Sequence, residues 1–190
     1  EISECLVGSE MCIRDSDLTA FRAYGPALQE TGERAFGYDI WTKYNTTEPV
    51  VEARYEGELN PDMKTKIAEL GKMDPKAAQE LYRSVSYHVD HGNGLDCYKV
   101  GPTLGGGTTA LMAGDTIVYP YCYATQEILD NGPLRFTVKL VYNPLVVKGD
   151  STIIETRIIT LDAGSYCNKT VVSYTNLKET MPLAVGIVLH

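Results

Sequence analysis

The sequence predicts a mainly β protein, an antiparallel sandwich with one short helical insertion. Three observations carry that reading. After Gly114 the chain is rich in β-branched and aromatic residues, cut into short runs by turn residues. Within those runs apolar and polar residues alternate, the period of a strand with one face buried. Helical periodicity is confined to about residues 62–85.

Taken in order, "LTAFRAY" (Leu18 to Tyr24) alternates and reads as a strand. "GPALQETGERAFG" reads as a Gly-rich connection. "YDIWTKY" is a second strand, with Tyr38, Ile40 and Thr42 on one face and Asp39, Trp41 and Lys43 on the other. Trp41 is expected to be exposed, because two charged residues share its face. A polar loop is expected up to Pro61. "DMKTKIAEL" predicts a short helix stopping at Gly71. Asp74-Pro75 then starts another, with Asp as N-cap and Pro in the first helical position.

Beyond Gly114, "DTIVYPYCYATQEIL", "LRFTVKLVY", "STIIETRIITLDAG" and "KTVVSYTNL" predict strands. In the second, Leu134, Phe136, Val138 and Leu140 share one face. "NGP" and "KGD" supply turns. The closing "LAVGIVLH" reads as a buried strand. With no repeat or linker, residues 17–190 read as a single β-rich domain, expected to be incomplete at both ends.

"CLVGSEMCIRD" (Cys5 to Asp15) closely resembles the translation of a sequencing-library adapter, a contaminant of assembled environmental DNA. Residues 1–16 are therefore set aside as a non-native artefact and expected to contribute nothing to the fold and little to stability. Cys97, Cys122 and Cys167 remain beyond that segment, and no C-x-x-C occurs. Zinc-ribbon and thioredoxin chemistry fail on spacing. One disulfide with a free thiol and three buried free cysteines both stay open.

The chain has 25 acidic and 17 basic residues, a net charge of −8. A nucleic-acid partner would call for a basic stripe, and none is present. Attraction to an anionic membrane surface is disfavoured for the same reason. No apolar run approaches the roughly 20 residues of a membrane span, so no membrane insertion is expected.

The chemistry concentrates in "YHVDHGNGLDCYKVG" (Tyr87 to Gly101), which holds His88 and His91. Three readings stay open. A metal would need more ligands than two, and residues three apart on a strand face opposite ways. No metal ligand and no cofactor is assigned. A strand ending in an Asn-Gly turn, with His91 hydrogen-bonded at the turn, needs no function. A catalytic reading makes a histidine the base that removes a proton beside a carboxylate. "GPTLGGG" lacks the order of a phosphate loop, and its glycines suit tight turns and close backbone packing.

Two blocks, "FRAYGPALQETGERAFGYDIWTK" and "HGNGLDCYKVGPTLGGG", are similar to segments of the bacterial family of domain of unknown function 4861. The pattern G-x-D-x-x-K-V-G-x-x-L-G-x-G falls on Gly94, Asp96, Lys99, Val100, Gly101, Leu104, Gly105 and Gly107. Members often carry Trp-Gly before the aspartate, where this chain has Asn93-Gly94. The resemblance implies an exported, periplasmic or extracellular protein of uronate-rich polysaccharide degradation, on pectin or algal polymers. It implies elimination or dehydration of uronate oligosaccharides, and favours a large mutarotase-like sandwich. On this reading His88, His91, Lys99 and Tyr24 are the candidate catalytic residues. Arg22, Trp41 and Asp96 would bind the oligosaccharide or polysaccharide. A non-catalytic glycan-binding module and a mutarotase- or epimerase-like enzyme are the alternatives.

Overall fold

The computed structural model describes residues 11–44, 50–97 and 100–189. The protein is mainly β, with antiparallel sheets and a few short helices, and its described strands close no barrel. It forms two compact units, one of Glu1–Ile40 with Tyr98–His190 and one of Trp41–Cys97.

The elements run β1 (Met11–Asp15), β2 (Thr19–Tyr24), α1 (Pro26–Thr31) and β3 (Asp39–Lys43). Then come α2 (Val50–Leu59), α3 (Pro61–Met73), α4 (Pro75–Val85) and β4 (Gly94–Asp96). The remainder is β5 (Thr108–Ala113), β6 (Thr116–Val118), β7 (Tyr123–Asn131), β8 (Arg135–Tyr142), β9 (Leu145–Val147), β10 (Asp150–Asp162), β11 (Lys169–Thr175) and β12 (Leu183–Gly186).

In the larger unit the main sheet has the order β11–β10–β8–β7, with β9 also paired to β10. The alternation that predicted β8 is the one it uses: Phe136, Val138, Leu140 and Tyr142 are buried and the residues between them are not. Opposite them on β10, Ile159 pairs with Val138 and Leu161 with Phe136. These residues, with Phe21, Ala23, Tyr38 and Tyr123, form the principal core. Each such side chain contributes on the order of 1.5–3 kcal/mol by leaving water. Leu134 lies just outside β8 and is exposed.

A second sheet has the order β12–β5–β6. β5 went unrecognised in the sequence because "TTALMA" carries small residues where a strand signal needs bulky ones. Of the closing segment only Leu183–Gly186 is a strand, and it is not a buried one: Leu183, Val185, Ile187 and Leu189 are all exposed. β12 pairs with β5 alone, and no described element covers its apolar face.

The backbone of Met11–Asp15 pairs antiparallel with β2. Ser16 is buried, and its Oγ accepts from the Leu18 and Thr19 amides. The "GPTLGGG" glycines serve backbone packing. Gly105 has φ +60, and a Cβ there would stand 2.6 Å from the Tyr38 carbonyl oxygen. That carbonyl accepts the Gly106 amide at 2.7 Å. Cys97, Cys122 and Cys167 form no disulfide among the described residues, and of the three only Cys122 is buried. Burial, reinforced by the charge of Glu33, pushes the Cys122 thiol up to about 11.

The smaller unit holds the helices. Asn60 caps α3 by accepting from the Met63 amide, and Pro61 takes the first position. Asp74 ends α3 and starts α4: its amide donates to Leu70 and its carboxylate accepts from the Lys76 and Ala77 amides. α3 runs through Gly71 instead of stopping there: Gly71 does not take the left-handed conformation of a glycine C-cap, and Asp74 ends the helix instead. α2 replaces the expected polar loop. Its sequence, "VVEARYEGEL", spreads charge around the helix and includes Gly57, which blurs any apolar stripe. α1 likewise occupies part of the expected connection, starting at Pro26. No described helix is long and apolar enough to cross a membrane.

Candidate functional site

In the smaller unit, residues 86–93 form a turn leading into β4, where a strand ending in a turn was expected. The turn is tied down locally. The His88 amide donates to Ser86 Oγ at 3.3 Å, and the Asp90 carboxylate accepts the Gly92 amide at 2.8 Å. The Asp96 amide donates to the Tyr87 carbonyl at 2.9 Å. Gly94 has φ +115 and packs against the Thr42 carbonyl so closely that a Cβ would collide with it. This brings His88 beside Asp96, eight positions along the chain.

The His88 Nδ1 lies 3.3 Å from the Asp96 carbonyl oxygen and 3.9 Å from its carboxylate. The Asp96 side chain is 0% exposed, and that of His88 is 51% exposed. Both groups facing Nδ1 are acceptors, so in the neutral ring Nδ1 carries the proton and the lone pair sits on Nε2. His91 is committed elsewhere: its Nε2 lies 3.1 Å from the Ser86 carbonyl, so that nitrogen is the protonated one. The hydrogen bond expected for His91 at the turn is therefore present. Among the described residues no group of three His, Cys, Asp or Glu is placed to hold a metal.

Behind His88 stands an aromatic stack. The Tyr87 ring lies 4.4 Å from the His88 ring, and Trp41 lies 5.5 Å from Tyr87 and 5.3 Å from Tyr55. Trp41 is thus buried, 1% exposed, and not the exposed platform that its charged neighbours on β3 suggested. Tyr55 belongs to α2, the helix absent from the sequence reading, and it covers the indole. Arg54, also on α2, holds the Asn93 side-chain oxygen at 2.5 Å. Burial lowers its guanidinium from the usual value, with Asp90 opposing.

In the larger unit, Arg22 and Tyr24 meet a residue not singled out in the sequence, Asp39. Its carboxylate accepts from Arg22 and from the Tyr24 hydroxyl, the latter at 3.1 Å. Asp39 is fully buried, and Arg22 and Tyr24 nearly so. The positive charge of Arg22 is therefore already met, and the Tyr24 phenol donates its proton to a carboxylate. Lys99 lies outside the described residues.

A second buried pair was also missed. Glu155 and Arg157 sit on the inward face of β10, joined from Nε to Oε1 at 2.5 Å. The Arg157 guanidinium stands 4.3 Å from the Tyr142 ring centre and 5.3 Å from that of Tyr38. Burial pulls the Arg157 pKa down, but Tyr142, Tyr38 and Glu155 together more than offset it, so the group stays charged. The signal was present in "IIETRII": read at period two, Glu155 and Arg157 share the face of Ile153, Ile159 and Leu161.

Among curated proteins the chain is 25% identical over 183 residues to "Uncharacterized protein P7" of Formosa agariphila, covering 93% of this chain and 40% of that one. The chain thus spans about two fifths of that relative's length. No solved structure matches. The family described as "Domain of unknown function (DUF4861)" matches residues 15–190, taking in β2, the His88 turn and the β10 pair. A match over that much of the sequence places the chain in the DUF4861 family.

Proposed function

We propose that the protein is a carbohydrate-active enzyme of uronate-rich polysaccharide breakdown, working by elimination or dehydration on pectin-like or algal uronate oligosaccharides. The observation that carries the reading is the His88–Asp96 arrangement. Its Nδ1 faces the Asp96 carbonyl at 3.3 Å, its Nε2 lone pair lies on a half-exposed ring, and the buried Asp96 carboxylate stands 3.9 Å behind it. That is the layout of a general base whose cation is stabilised once it takes a proton.

The chemistry balances simply. Nε2 removes the proton on the ring carbon next to the uronate carboxyl. The electron pair forms a carbon–carbon double bond, the bond to the neighbouring oxygen breaks, that oxygen takes a proton from water, and the His88 imidazolium returns its own to solvent. If the oxygen belongs to the next sugar the chain is cleaved. If it is a hydroxyl, water is lost. The enolate formed on the way calls for a nearby cation or donor. By family resemblance the candidates for that part are Lys99 and Arg22. The same resemblance supports a large mutarotase-like sandwich and a periplasmic or extracellular location. The buried alternation of β8 and β10 is consistent with that fold.

The test is ultraviolet absorbance of unsaturated uronate, with mass spectrometry for loss of water, on pectin, alginate and ulvan oligosaccharides. Product is expected from at least one of the three, and His88→Ala is expected to lose about 10²-fold or more in rate. His91→Ala should retain activity. No product from any of the three, or an unimpaired His88→Ala, would contradict the proposal.

A further inference from the structure

We propose that Arg54 binds the carboxylate of the substrate's uronate ring and so makes the His88 site selective for acidic over neutral sugars. The juxtaposition comes from α2, which lies along the His88 turn. Arg54 Nη2 donates to Asn93 Oδ1 at 2.5 Å, at the end of the turn. Glu58, four residues on, accepts the Tyr87 amide at 2.8 Å, beside His88 at its start. Tyr55, between them, lies 5.0 Å from the Tyr87 ring, which in turn lies 4.4 Å from the His88 ring. Four helical residues span about 6 Å of axis, so the two points of the turn that α2 holds are about one pyranose ring apart.

What Arg54 lacks is a counter-charge. Its hydrogen bond goes to a neutral amide, and no described carboxylate lies within ion-pair distance of it. The nearby carboxylates are engaged elsewhere. Glu58 spends one oxygen on the Tyr87 amide and the other on the Tyr82 hydroxyl, at 3.2 Å. Asp90 accepts the Gly92 amide and acts on Arg54 through its charge. Arg22, by contrast, is already met by Asp39. Arg54 is half-buried, so its guanidinium gives up part of its hydration, and an anion that bonds to it restores what is lost.

The chemistry decides the ligand. A guanidinium offers planar, paired donors that match a carboxylate. Asp90 offsets part of the positive charge, which suits a single negative charge and not the double charge of a phosphate monoester. In the proposed elimination the proton removed sits on the carbon that bears the carboxyl. A cation holding that carboxyl within a ring's width of His88 fixes the carbon and takes up charge as the enolate forms. That role in turnover rests on His88 being the base, whereas uronate binding can be measured without turnover.

Calorimetry and saturation-transfer NMR with galacturonate and glucuronate, against methyl galactoside and methyl glucoside, would test it. At least one uronate is expected to bind, and its neutral counterpart to bind about tenfold or more weakly. Arg54→Gln should weaken uronate binding by about tenfold or more, the scale of one charge-assisted hydrogen bond. His88→Ala should leave it unchanged. If Arg54→Gln fails to fold by circular dichroism, Arg54→Lys decides, with an expected severalfold loss because an ammonium lacks the paired donors. A protein that binds uronate through Arg54 but forms no product would contradict the His88 reading alone. Binding of neither uronate, equal binding of the neutral glycosides, or uronate binding undiminished in the Arg54 variants would overturn the proposal.

Discussion

Two acid–base pairs lie on the same β8–β10 ladder, and they differ in almost everything but their functional groups. Glu155–Arg157 is wholly buried at mid-strand, between Ile153 and Ile159. Arg135–Asp162 closes the end of the ladder with two contacts, at 2.6 and 2.9 Å, and both side chains are about half exposed. The exposed pair has the better geometry and the lesser consequence, since water and salt screen it. The buried pair has one contact, yet neither partner can be removed alone without leaving a charge in the core.

The sharpest way to break the comparison is Arg157→Met. It should lose about 3–5 kcal/mol of stability in denaturant unfolding, the scale for an orphaned buried charge. Adding Glu155→Leu should restore most of that loss, because the desolvated charge goes too. If the double variant is as unstable as the single, the cost lies in packing and not in charge. Leu140→Ala, directly opposite Arg157, gives the uncharged reference, with an expected loss of about 2–5 kcal/mol from cavity and transfer terms together.

Acid and alkali should separate the exposed and buried groups further. Cys122 has its thiol raised to about 11 from 9.0, so its contribution is whole below pH 9 and is lost as pH rises through 11. Cys122→Ala should flatten that alkaline decline in a pH series of unfolding midpoints. In thiol alkylation followed by peptide mapping, Cys167 should label well before Cys122. At the other end, hydrogen bonding to Arg135 and its charge hold the Asp162 carboxyl below its ordinary value. Its contribution is therefore present above the usual carboxylate range and lost as pH falls through the folded value. Asp162→Asn should be the mildest change of all, and its effect should disappear in molar salt.

The same contrast explains what could be read from the sequence. β8 and α4 were legible because their signals are local: alternation in one, Asp74-Pro75 in the other. Trp41 was misjudged because its two charged neighbours are local while the helix carrying Tyr55, which covers it, is not. His88 and His91 were singled out in the sequence, but not their partners. The contact of His88 with Asp96 depends on how the chain turns at Gly92 and Gly94, and that turn depends on the close approach of Gly94 to Thr42. Arg22 and Tyr24 lie in one family block but were given different roles, and the fold places both on a carboxylate at Asp39. Glu155 and Arg157 were readable by face and were passed over, because charged residues in a strand are ordinarily assigned to the solvent side.

The central claim is that His88 acts as a base through Nε2, and chemical rescue tests it most directly. The rate of unsaturated-uronate formation would be measured for the unmodified protein and for His88→Ala, each with and without added imidazole. The account predicts that His88→Ala falls by about 10²-fold or more, that imidazole restores a substantial part of that loss, and that imidazole leaves the unmodified protein unaffected. A His88→Ala protein that is fully active, or one that is folded and inactive but gains nothing from imidazole, would contradict it.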